Sequence, residues 1–111
     1  MERIYNKLVR DRIPEIISNN GEKPITHILN DVEYKKELEN KLLEEYNEVL
    51  GTTTSQDRIE ELADMLELIS ALASLEDKTI DDVIEIAKVK AQKRGGFKDK
   101  IFLEKVISDK D

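Results

Sequence analysis

From Val32 to Leu50 the apolar residues Val32, Leu38, Leu42, Tyr46 and Val49 recur at helical spacing, with Asp31 in front as an N-cap and Gly51 behind as a stop. The polar stretch TTTS (52–55) follows, and Ser55 is suited to cap a third helix running from Gln56 to about position 75. A connection this short predicts an antiparallel helical hairpin. Thr79, with Asp81 and Asp82 in the next turn, marks a fourth helix start, and Ile80, Val83, Ile84, Ala87 and Ala91 form its apolar stripe before Gly95-Gly96 ends it. Upstream, Asp11 or Arg12 leads into a short helix with Pro14 in its first turn and Asn20-Gly21 at its end. Pro24 opens an extended connector, and 25–30 (ITHILN) reads as a short strand or coil. Phe97, Ile101, Phe102, Leu103 and Val106 read as an extended, packed tail. The pattern predicts an all-α fold. No internal repeat or low-complexity segment interrupts it.

Two acidic pairs sit on the hairpin, Glu45-x-x-Glu48 on its first helix and Glu61-x-x-Asp64 on its second, and an i,i+3 spacing puts both carboxylates of a pair on one helix face. In a chain this rich in Asp and Glu, spacing alone fits a solvated face equally well. The surroundings of the second pair change the picture. At about 100° per residue, Leu62, Met65, Leu66, Leu68, Ile69, Ala71, Leu72 and Leu75 cover most of the circumference, leaving a narrow solvated stripe around Glu60 and Glu67. Glu61 and Asp64 point into the apolar arc beside Leu68, Leu72 and Leu75. A carboxylate placed there shifts its pKa, finds a partner or binds a metal. In an antiparallel hairpin centred on the 52–55 loop, Glu45 lies level with Asp64 and Glu48 level with Glu61. Four carboxylates thus converge at one height, and hard oxygen ligands of this kind suit Mg²⁺ or Mn²⁺.

The bulk composition narrows the setting. A chain of 111 residues has room for one domain, 1–111, with a modest core, and gains further burial by self-association. There is no cysteine, which removes disulfides and thiolate metal sites, and the N-terminus lacks the apolar core of a secretory signal, so cytoplasmic residence is expected. Asp64 and Glu67 interrupt the richest apolar stretch, well short of the roughly 18 residues needed to span a bilayer. A net charge of −7 with a pI near 4.8 argues against a nucleic-acid or anionic membrane surface as partner.

An anionic substrate then needs a metal or a local basic cluster. Lys41 is one turn before Glu45, and Lys90, Lys93 and Arg94 share a face at the end of the fourth helix, where they fit a triphosphate grip or a complement to the helix macrodipole. Lys7, Arg10 and Arg12 near the N-terminus carry less of that expectation. His27 stands alone, without a second ligand-type neighbour, and reads as a surface or packing residue.

The segments KLLEEYNEV (41–49) and EELADMLE (60–67) resemble the ExxE, short gap, ExxD hallmark of the MazG-like all-α nucleoside triphosphate pyrophosphohydrolases. That superfamily also includes phosphoribosyl-ATP pyrophosphohydrolase and the dimeric dUTPases. YNKLVRDRIPEII (5–17) and KRGGF (93–97) are further similar to a small single-domain, phosphoribosyl-ATP pyrophosphohydrolase-like branch, so the resemblance spans nearly the whole chain. It implies hairpin subunits forming a four-helix core across a homodimer, sometimes doubled into a homotetramer. It also implies Mg²⁺ held by Glu45, Glu48, Glu61 and Asp64, and cleavage of a nucleotide between the α and β phosphates to release pyrophosphate and a monophosphate. Glu44 and Glu45 are both candidates for the general base, and the residues do not choose between them. Within the enzyme class the alternative is phosphoribosyl-ATP hydrolysis in histidine biosynthesis. Outside it, the alternative is a non-catalytic helical oligomerisation module whose acids are structural.

Overall fold

A computed structural model describes residues 1–108 and contains four helices, α1 (Ile13–Asn19), α2 (Asp31–Leu50), α3 (Ser55–Ser74) and α4 (Ile80–Arg94), with no strand among the described residues. The protein is all-α, as the apolar spacing predicted. Residues 25–30 are coil. No helix among the described residues is long and apolar enough to cross a membrane.

The helix ends follow from local chemistry, in two places one residue earlier than expected. Asn30, not Asp31, caps α2, its side chain accepting the Glu33 amide at 2.9 Å, which leaves Asp31 inside the first turn where its charge complements the macrodipole. Thr54, not Ser55, caps α3 through its hydroxyl and the Asp57 amide at 3.1 Å. Both expected caps are competent residues. Each has an equally good donor-satisfying neighbour immediately before it, and sequence alone cannot rank the two. At the end of α2, Thr52 Oγ1 donates to the Val49 carbonyl at 2.7 Å and Arg58 Nη1 reaches back to the same oxygen at 3.3 Å, so α3 helps cap α2 and fixes the hairpin turn. Pro14 occupies the first turn of α1, and Gly21, at φ +81°, closes that helix with the Glu22 amide donating to Ile17 O.

The described residues form two compact units, Met1–Ile80 and a second beginning at Asp81. The first is built on α2 packed against α3. Its buried apolar residues are few: Leu38 and Val49 from α2 and Leu68 from α3. A second apolar stripe on each helix stays in solvent, Leu43, Tyr46 and Leu50 on α2 and Ile59, Leu62 and Leu66 on α3. In the antiparallel register Leu43 is level with Leu66 and Leu50 with Ile59, and both stripes turn away from the seam to the same side, so they run together along one outer face. In the second unit no residue of α4 is buried. The segment after it has no regular secondary structure over 95–108, with a turn near 98–99, and against expectation its apolar residues are not packed: Phe97, Ile101 and Phe102 are exposed. Their spacing announced hydrophobic residues without saying what surface receives them.

Candidate metal centre

The α2–α3 seam brings carboxylates together. Glu45 is 9% exposed, and one oxygen each from Glu45, Glu61 and Asp64 lie within 4.8 Å of one another. Leu38 and Val49, one turn or two from Glu45 on the same face of α2, and Leu68, one turn beyond Asp64 on α3, surround the acids with apolar side chains. The level pairing inferred from the hairpin register places Glu45, Glu61 and Asp64 together as observed. Glu48, at the exposed edge one turn further along α2, lies outside this tight group yet acts on it through hydrogen bonding and charge toward both Glu45 and Glu61.

The electrostatics are those of an under-neutralised cluster. Desolvation pushes the Glu45 carboxyl up to about 7, aided by hydrogen bonding with Glu61 and Glu48 and by the charges of Glu48 and Asp64. For Glu61 the hydrogen bond from Glu45 works in the opposite direction, and desolvation, Glu48 and Asp64 outweigh it, so its pKa also rises. Both carboxyls are thus easier to protonate than free acids. Glu45 Oε2 and Glu61 Oε2 are buried and find no hydrogen-bond donor among the described residues. Two buried acceptor-only oxygens facing one another need a proton or a cation between them. Hard carboxylate oxygens of this kind suit a divalent cation such as Mg²⁺ or Mn²⁺.

One neighbour was given little weight from sequence. Arg10 Nη2 donates to Asp64 Oδ1 at 2.7 Å, joining the N-terminal segment to α3 across 54 positions. The run RDR before Pro14 is a visible basic feature in an acidic chain, but no periodicity links it to Asp64. The other candidates are dispersed. Lys41 is half-buried one turn before Glu45, and Glu44 is exposed on the flank of α2. Lys90, Lys93 and Arg94 are exposed on α4 in the second unit, where they line a groove of about 340 Å³ with Ile86 and Val89. A cleft of about 410 Å³ opens beside the acids, lined by Glu48, Glu61, Thr52, Thr53 and Asp57 among others. His27 is exposed.

The fold and site thus define an all-α protein with a carboxylate cluster at the centre of a helical hairpin. A protein of Mycolicibacterium smegmatis (strain ATCC 700084 / mc(2)155), described as uncharacterized, is 43% identical over 54 residues, which cover 49% of this chain and 55% of that protein. The chain spans about half the length of this relative. No protein-family model matches the chain, and no solved structure does.

Proposed function

We propose that the protein is a Mg²⁺-dependent nucleotide pyrophosphohydrolase of the MazG-like kind, cleaving a nucleoside triphosphate or related nucleotide between its α and β phosphates. The observation that carries the reading is the buried, unpartnered oxygen pair of Glu45 and Glu61 beside Asp64. A stability-driven scaffold gains nothing from burying carboxylates without donors, whereas a cation site requires them. Supporting it is the resemblance of 41–49 and 60–67 to the paired acidic hallmark.

Glu45, Glu61 and Asp64 hold the cation, with Glu48 as the fourth ligand. The bound Mg²⁺ supplies Lewis acidity toward the phosphoanhydride and lowers the pKa of a coordinated water. Burial of Glu45 keeps bulk water away from that carboxylate, which strengthens its electrostatic contacts. The general base is a carboxylate of α2 not fully used by the metal, Glu45 or the exposed Glu44. Lys41, one turn before Glu45, supplies positive charge for the polyphosphate.

The same proposal includes cytoplasmic residence and a homodimer or homotetramer. The subunit buries only three apolar residues among those described while exposing six large ones along one face of the hairpin, and pairing two such faces makes a four-helix core. The test is a panel of nucleoside triphosphates and phosphoribosyl-ATP assayed for pyrophosphate release with Mg²⁺, with Mn²⁺ and with EDTA. Metal-dependent release from at least one member is expected. No release from any of them, by a folded oligomer that binds the metal, overturns the catalytic reading in favour of an oligomerisation module.

A further inference from the structure

The acidic cluster has a cation of its own. Arg10 sits just before α1, where its carbonyl accepts the Ile13 amide at 3.0 Å, so its backbone is tied to the helix start. From there its Nη2 donates to Asp64 Oδ1 at 2.7 Å. Both side chains retain solvent access, 56% for Arg10 and 41% for Asp64, so this pair can open without unfolding anything around it. The orphaned oxygens of the cluster belong to Glu45 and Glu61, and the member already neutralised is Asp64. A divalent cation seated among all three carboxylates draws on the same charge that Asp64 now gives to the guanidinium. It also repels that guanidinium at close range. Once off Asp64, the guanidinium remains tethered beside the site, and its planar fork matches two phosphate oxygens at once.

We propose that Arg10 is a counter-ion latch, which holds Asp64 in the metal-free protein, leaves it when a divalent cation binds, and then grips the polyphosphate of the substrate. The inference rests on the metal-dependent reading above and adds to it a substrate-binding residue and an order of events, cation first and polyphosphate second. It separates Arg10 from a residue that merely orients Asp64 for the metal. An orienting residue raises metal affinity, typically by about 10- to 100-fold. A latch lowers it, because the cation must displace the guanidinium.

The experiment uses the full chain, wild type, Arg10→Gln and Arg10→Lys, each shown to be folded by a cooperative thermal melt. Mn²⁺ is first titrated calorimetrically without nucleotide, and inorganic triphosphate is then titrated at saturating Mg²⁺. Arg10→Gln is expected to bind Mn²⁺ several-fold to about tenfold more tightly and triphosphate about tenfold more weakly. Arg10→Lys keeps the charge and loses the fork, so its Mn²⁺ affinity stays near wild type while triphosphate binding weakens. Mn²⁺ affinity that is unchanged or reduced in Arg10→Gln, or triphosphate affinity that is unchanged, overturns the latch. A wild-type protein that binds Mn²⁺ but releases no pyrophosphate from any nucleotide overturns the catalytic reading alone, and the Mn²⁺ titration still judges Arg10. A wild-type protein that takes up no Mn²⁺ overturns both.

Discussion

Replacing Glu45 by Gln removes the charge from the most buried carboxyl while keeping its shape. The Glu45 pKa stands near 7 against an ordinary value of 4.5, and a shift of about 2.5 units corresponds to roughly 3 kcal/mol at about 1.4 kcal/mol per unit. The folded-state pKa is raised, so the protonated form is the one the fold favours. Its stabilising contribution is complete below pH 4.5 and is lost as pH rises from there through 7. A glutamine does not titrate and loses nothing over that window. In EDTA, Glu45→Gln is therefore expected to be more stable than wild type by about 3 kcal/mol at pH 8 and by less than about 1 kcal/mol at pH 5. For a domain of this size the difference at pH 8 is on the order of 10 °C in Tm. The amide also brings a donor toward Glu61 Oε2, which now has none. Scanning calorimetry in EDTA across pH 5–8 measures the gap, and repeating it in Mg²⁺ should show wild type rising and the variant unmoved, since a ligand that binds only the folded state stabilises by mass action. A variant less stable than wild type at pH 8 in EDTA, or a gap independent of pH, refutes the argument that this carboxylate is buried at a cost.

Glu48→Gln and Asp64→Asn should each abolish pyrophosphate release, checked by a phosphate-coupled assay, with the metal-free fold retained. Glu48→Gln is expected to melt at or slightly above wild type as repulsion falls. Asp64→Asn also loses the part-exposed Arg10 pair, which is worth under about 1 kcal/mol. A double change Leu43→Lys, Leu66→Lys on the outer hairpin face should shift sedimentation from an oligomer to a monomer at micromolar concentration, and a wild-type monomer would remove the basis for a shared four-helix core. Lys93→Gln with Arg94→Gln should lower kcat/KM by roughly tenfold or more if the end of α4 grips polyphosphate, since about 1.4 kcal/mol is a factor of ten, while wild-type kinetics with a lowered Tm would leave these residues the role of complementing the helix end.

The hairpin was legible because two independent signals agree on it. The apolar spacing of Leu38, Leu42 and Val49 defines one helix face, and the four-residue polar loop leaves no geometry but an antiparallel return. The register places Glu45 against Asp64, because level pairing in a hairpin depends only on distance from the turn. What the pattern did not carry was anything long-range outside the hairpin. Arg10 reaches Asp64 through the path of the N-terminal segment, which no helical period encodes. The caps slipped by one residue because Asn30 and Asp31, or Thr54 and Ser55, offer nearly the same oxygen to nearly the same amides. The apolar tail was read as packed on composition alone, and composition does not supply a partner surface.

The two unsatisfied features of the first unit are of different kinds and lie on different parts of the hairpin. At the seam, Glu45 and Glu61 repel when both are ionised, and burial with the neighbouring acids raises the pKa of each. On the outer face, Leu43, Leu50, Ile59 and Leu66 leave apolar area in water that one thin layer of two helices cannot cover. A proton answers the first deficit only below pH 7, and nothing within α2 and α3 answers the second. A divalent cation and a second copy of the hairpin would answer them separately, so metal removal should weaken the seam without dissolving the assembly. Chelation at low temperature should therefore lower Tm at unchanged sedimentation, and an oligomer that falls apart on chelation at low temperature would show that the two deficits are one.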